Sequence, residues 1–152
     1  MTAYRIASRG HSIFEGAGAA EYGGRWNSPG RPVIYAAGSL SLAMLEQLAH
    51  SGTGRLPHDQ AFVKITISKS VSTERVNPDG VAGWDADDRI ASRAFGDDWL
   101  TKRRTCVLLT PSVIVPMEHN VVINPAHAEF AHIRVSAPHD LNWDKRLKTV
   151  RN

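Results

Sequence analysis

The sequence predicts an α+β domain, and three observations carry that expectation. Two stretches of helical character stand among six or more strand-like segments, the two kinds do not alternate as βαβ units would, and prolines cut the second half of the chain into short β pieces. A single domain spanning residues 1–152, with a mixed sheet and flanking helices, is the expected architecture. A chain of this length buries roughly two thirds of the surface its unfolded form exposes, so it needs no disulfide or metal to hold it.

The elements follow in order. "AYRIAS" alternates and reads as the opening strand, and a Gly/Ala-rich loop runs from it to Asn27. "RPVIYAA" is the next strand, with Val33, Tyr35 and Ala37 on one face and Ile34 and Ala36 on the other. A helix begins after Ser39 or Ser41, either of which suits an N-cap, and reaches His50, where "SGTG" ends it. "AFVKITIS" alternates as a strand. "DADDRIASRAFGDDWLTKR" reads as one or two helices with an acidic first turn that complements the helix dipole. "TCVLLTPSVIVPMEHNVVINPAH" and "HIRVSA" supply the remaining short strands.

Composition excludes several classes. The formal charge is +3 and the pI about 9.3, but the basic residues gather in "TKRRT" and "DKRLKTVR" without aromatics between them, which fits a solvated surface better than a nucleic-acid stripe. No apolar run approaches the roughly 18 residues of a membrane span, and "MTAYRIASRG" has no signal-peptide apolar region, so a cytoplasmic protein is expected. Cys106, in the apolar run "TCVLLT", has no partner for an internal disulfide and reads as a buried thiol. "GAGAAE" lacks the third glycine and the preceding strand of a dinucleotide fingerprint, and no P-loop, zincin or hydrolase-elbow motif is present. His127 and His132 have no third ligand at a diagnostic spacing, so no metal site is expected. The acid pairs Asp87/Asp88 and Asp97/Asp98 read as structural charge.

What remains is a constellation. The helix around Glu46 is apolar nearly all round, which predicts that it is buried and takes the carboxylate at least partly inside. A buried carboxylate needs hydrogen bonds, a cation or a ligand to serve, whereas the bland reading is a glutamate on an exposed rim. Tyr35 ends the preceding strand, and a short turn would bring its ring over the first half of the helix; alone, it also fits a core tyrosine with a satisfied hydroxyl. Arg25 follows Gly23-Gly24 in a loop open to close approach, where its fork suits phosphate or carboxylate as well as a surface position.

Taken together, "YRI", "GGRWNSPGRPVIYAAGSLSLAMLE", "GDDWL", "TPSVIVPMEHNVVINPAHAEF" and "WDKRL", in this order and spacing, resemble the RES domain family of bacterial toxins, which are usually encoded beside an Xre-like antitoxin. The resemblance runs from Tyr4 to Leu147. Thr110 stands where valine is common and Ala128 where proline is common. By implication the fold is similar to that of ADP-ribosyltransferases, and NAD+ is a substrate, with no resident cofactor and inorganic phosphate as a possible co-substrate. The pattern falls on Arg25, Tyr35, Glu46 and Ser112 as catalytic residues. Arg5 and Asn124 join Arg25, Tyr35 and Ser112 as NAD+ contacts, while Asn120 and His127 lie in the matched motif with their roles open.

The chemistry implied needs only one carboxylate, because nicotinamide already carries positive charge and leaves without a general acid, unlike an ordinary glycosidic oxygen. Glu46 would stabilise the oxocarbenium-like charge on the ribose, Arg5 and Arg25 would hold the pyrophosphate or a ribose, and Tyr35 would pack near the nicotinamide. Ser112 would bond the ribose or position Glu46. The resemblance implies release of ADP-ribose to phosphate or water, with growth arrest, and a hetero-oligomer in which the antitoxin covers the cleft. A protein-modifying transferase and a non-catalytic antitoxin-binding module are the alternatives. Neither nucleic acid nor membrane is an expected partner.

Overall fold

"TAYRIAS" forms β1 (Thr2–Ser8), which turns Ala3 to one face and Ile6 to the other and pairs in full antiparallel register with β3 (Gln60–Thr66). The computed structural model describes residues 1–10, 12–51 and 56–147. The other strands are β2 (Ile34–Ala37), β4 (Thr73–Arg75), β5 (Val107–Pro111), β6 (His119–Ile123), β7 (Arg134–Val135) and β8 (His139–Asp140). They form one sheet in the order β4-β5-β6-β2-β1-β3-β7, with β8 also on β3. Among the described residues only the β4–β5 pair is parallel. Three α-helices accompany the sheet among the described residues: α1 (Ala17–Tyr22), α2 (Leu40–Ser51) and α3 (Ile90–Lys102). The α+β expectation stands.

Strand alternation divides the core. One face of the sheet buries Ala3, Ile34, Val63, Ile65, Val107, Val121 and Ile123 under the segment carrying Ile13 and Phe14. On the other face, α2 sets Leu42 and Ala43 on Ile6 and Ala37. Beside it α3 and the loop of Trp26 cover Val33, Leu108 and Val122, with Trp99 wholly buried between them. Burying each such aliphatic side chain contributes roughly 1.5–3 kcal/mol, so these three clusters hold the elements that frame the cleft.

Several expectations are corrected. The Gly/Ala-rich loop contains α1, where "AGAAEY" makes a short helix. Helix α2 buries only Leu42 and Ala43 fully and exposes Leu45, so it lies on the sheet by one face and is not enclosed. Ser39 is its cap: the hydroxyl accepts the Leu42 N–H at 3.1 Å. Asp85, Asp87 and Asp88 precede α3, whose first turn holds no acid, although the Asp88 carboxylate accepts the Ile90 N–H at 2.9 Å. Strands β4 and β8, three and two residues long, escaped the pattern because so short a run shows no alternation. Cys106 is buried and free. The "SGTG" terminator falls largely outside the described residues, and α2 includes its first residue, Ser51, one past the expected end at His50.

Candidate active site

Glu46 projects from the middle of α2 toward the ends of β5 and β6. Two side chains reach one of its oxygens: the Ser112 hydroxyl donates to Oε1 at 3.0 Å and Asn120 Nδ2 donates to the same atom at 2.6 Å. Hydrogen bonds to a charged group contribute about 1.5–3 kcal/mol each, enough to fix the rotamer of a long side chain. Among the described residues Oε2 has only the imidazole of His50, at 4.0 Å, and the side chain remains 23% exposed. The carboxylate is therefore held by one oxygen and open at the other.

Ser112 is wholly buried, and its Oγ accepts the N–H groups of Ile114 and Val115, each at 3.1 Å. A hydroxyl has two lone pairs and one proton. With both lone pairs taken, the proton has one place to go, which is Glu46. The turn after β5 thus makes Ser112 a positioning donor with no free electron pair for nucleophilic attack. The same turn is tied to the helix, since the Ser39 hydroxyl donates to Glu118 at 2.9 Å.

Arg25 belongs to a second knot. The Tyr35 hydroxyl accepts the Trp26 N–H at 2.9 Å and donates to Asn27 Oδ1 at 2.7 Å. The Asn27 amide in turn donates to the carbonyls of Ala19, Ser28 and Arg31. Gly24 lies under the tyrosine ring, and a Cβ there would come within 2.7 Å of ring carbons. Tyr35 therefore packs with Trp26 and Val33 and not over α2 as the strand–helix spacing suggested. Burial pushes its phenol upward, so the ring stays neutral. Arg25 Nη1 donates to the carbonyls of Trp84 and Ala86 at 3.1 and 2.9 Å. Burial first and Arg89 second push its guanidinium down, while Asp87, Asp85 and Glu46 push it up, which places Glu46 within range of its charge.

Tyr35→Phe is expected to leave the Trp26 N–H unpaired in the core and to free Asn27. An orphaned buried donor costs about 1–3 kcal/mol, or a melting temperature lower by roughly 2–4 °C per kcal/mol at this size. A thermal melt unchanged within 1 °C, by the same scale about half a kcal/mol or less, would remove this anchoring role.

The structure joins Glu46, Ser112 and Asn120 by direct hydrogen bonds and sets Arg25 and Tyr35 in the adjoining knot around Trp26. It does not bring Arg5 or Asn124 there. Arg5 shares its strand face with Ala3 and Ala7, opposite the Tyr4 and Ile6 face that meets α2. Its guanidinium braces the carbonyls of Ile13, Tyr35 and Glu15 at 2.5, 2.7 and 3.4 Å, and burial pushes its pKa down. Asn124 follows the far end of β6 from Asn120, where its Oδ1 accepts the Ala126 N–H and its own N–H bonds Cys106. His127 Nδ1 accepts the Glu129 N–H at 3.2 Å, capping a single 3-10 turn at Ala128–His132. Both shape that loop. Thr110, where valine is common in the family it resembles, buries a hydroxyl that has no partner among the described residues.

Sequence reading missed Asn27, whose signal was its place directly after "GGRW". It also left Asn120 open, because a ladder partner of Thr110 and Ala37 cannot be recognised before the register is known.

The chain is similar to known proteins over nearly its whole length. Residues 2–144 match the family described as the RES domain. Over 136 residues the chain is 41% identical to a "Prs ADP-ribosylating toxin" of Sphingobium sp. (strain YBL2), covering 87% of this chain and 84% of that one. It is 37% identical to a "Toxin Res" of Yersinia enterocolitica, covering 97% of this chain and 100% of that one. A chain in the crystal structure of the M. tuberculosis MbcT-MbcA toxin-antitoxin complex superposes with a TM-score of 0.73 at 21% identity, over 92% of this chain and 83% of its own.

Proposed function

The chain belongs to the RES domain family, and from that premise we propose that it is the toxin of a bacterial toxin-antitoxin pair and consumes NAD+. In this reading the bond between nicotinamide and ribose breaks, its electron pair leaves with nicotinamide, and phosphate or water adds to the anomeric carbon and loses a proton. The observation that carries the reading is a carboxylate held through Oε1 by Ser112 and Asn120, with Oε2 open. Such an oxygen is pre-oriented to accept a ribose hydroxyl and to stabilise the positive charge that develops at the anomeric carbon, without reorganising during the reaction. Arg25 would bind phosphate oxygens through its remaining donors, and Tyr35 would act by holding the turn that carries it.

A second reading has its own support. The relative named for ADP-ribosylating activity is 41% identical, so transfer to a protein is the alternative fate of the same intermediate. An antitoxin partner is part of the proposal, supported by the toxin-antitoxin complex to which the fold is similar. We expect an Xre-like protein whose acidic segment covers the cationic mouth around Arg25.

One experiment separates these outcomes. Incubation with labelled NAD+, inorganic phosphate and a cell extract is expected to put label on small molecules, at a rate that the antitoxin suppresses, and expression of the chain alone is expected to arrest growth as cellular NAD+ falls. Label on protein would favour the transferase reading. Intact NAD+ in every arm would sink both, and equal turnover by the antitoxin complex would sink occlusion.

A further inference from the structure

Arg89 and Arg93, which no spacing in the sequence singled out, lie with Arg25 where the segment leading into α3 meets the Gly24–Arg25 turn. Arg93 Nε donates to the Gly24 carbonyl at 2.8 Å, directly before Arg25. Arg25 grips the carbonyls of Trp84 and Ala86, and the Arg89 N–H bonds that same Ala86 carbonyl at 3.2 Å. Three arginines thus converge on two short segments that touch. All three are half-buried.

Like charges gathered this way repel, and folding normally relieves the repulsion with carboxylates. Nearby arginines are relieved: Arg31 pairs with Asp97, and Arg104 with Glu74 and Asp98. No carboxylate stands within ion-pairing distance of Arg25, Arg89 or Arg93 among the described residues. The Arg89 guanidinium, moreover, shows no hydrogen bond to a described residue, while its backbone holds φ at 59°, in the left-handed region that L-residues adopt at a cost. A strained residue with no side-chain hydrogen bond to a described residue, in a cluster on which Asp85 and Asp87 act only from beyond ion-pairing distance, is placed for something outside the fold. The first turn of α3 adds its dipole in the same sense.

We propose that Arg89 and Arg93, with the open edge of Arg25, form a subsite for a phosphate group. The anion is either a phosphate of the dinucleotide or the free inorganic phosphate that accepts its ADP-ribosyl group; its identity rests on the NAD+-consuming reading, its charge does not. Several forked donors on one tetrahedral anion give both strength and orientation. Arg89 and Arg93 are then specificity residues for the phosphate, and the strained turn before α3 persists because it aims Arg89.

Arg89→Gly tests this with two readouts that a structural arginine would move together. Glycine accepts the left-handed conformation and removes a repelling charge, so the melting temperature is expected to rise. Binding of ADP or of inorganic phosphate, measured by calorimetry without turnover, is expected to weaken about tenfold or more, the loss of one charge-assisted contact. Arg93→Lys, which keeps the charge, should weaken it less than Arg93→Gln. A loss confined to ADP assigns the subsite to the dinucleotide, and a loss confined to inorganic phosphate assigns it to the acceptor. Arg89→Gly that binds both ligands within twofold of the unaltered chain would overturn the subsite, as would an unaltered chain that binds neither. A chain that binds ADP but consumes no NAD+ would sink the activity and leave the subsite standing.

Discussion

Glu46→Gln is expected to fold, to melt at or above the temperature of the unaltered chain, and to lose NAD+ turnover by roughly 10²- to 10³-fold, the usual loss for removing one preorganised electrostatic stabiliser. The geometry explains why the fold should tolerate it. Ser112 and Asn120 both donate to Oε1, and a glutamine carbonyl placed there satisfies both. The amide nitrogen then takes the position of Oε2, which no close protein donor occupies. Folding loses little, while the cleft loses its negative charge and presents N–H where a ribose hydroxyl needs an acceptor. Because the interaction grows only as the glycosidic bond lengthens, kcat should fall far more than NAD+ affinity. Turnover near that of the unaltered chain would remove Glu46 from catalysis. A mutant that did not fold would make it a structural residue.

Gly96→Ala is expected to be the most damaging small substitution in the chain. A methyl at Gly96 would overlap the carbonyl oxygen of Trp26 and sit 2.7 Å from its carbonyl carbon. Trp26 cannot yield: its ring stacks on Trp84 at 6.3 Å, meets Phe95 edge-on at 6.0 Å, and its N–H is fixed by Tyr35. Helix α3 must instead move outward, away from the Ser28–Asp97 bonds at 2.5 and 3.0 Å that fasten it to the same loop. Alanine improves helix propensity by about 1 kcal/mol, whereas forced overpacking against backbone costs typically 1–3 kcal/mol and sometimes more, and the broken bonds add to it. A net loss of at least about 3 kcal/mol lowers the melting temperature by roughly 10 °C. Displacing Trp26 also displaces Arg25, so activity should fall with stability. A melting temperature equal to or above that of the unaltered chain would mean that propensity had won and that the contact is soft.

Long periodic elements were legible in the sequence because their periodicity is a local property. Helix α2 and strands β1, β3, β5 and β6 announce themselves within a few residues, and Glu46 stood out as the lone acid on an apolar helix. Arg25 and Tyr35 were legible as candidates, but their mechanical relation was not: that Tyr35 anchors the turn of Arg25 depends on a hydroxyl reaching Trp26 and Asn27 across the sheet face. Arg5 was placed by motif on the right strand, and the strand's alternation then turned it to the other side. Asn120, Arg89 and Arg93 acquire meaning only from register and helix placement, long-range properties that no window of sequence contains. Asn27 was visible and unread.

The carboxylate of Glu46 and its two donors are separated by 66 and 74 residues of chain. During synthesis an N-terminal part folds before the rest exists. Until the ribosome has passed Asn120, α2 can form and even dock on β1, yet Glu46 has neither donor to hold it. The donors that hold the carboxylate arrive with β5 and β6, a whole helix and two strands after α2, so a chain that stops before Asn120 is expected to carry α2 with an unheld Glu46.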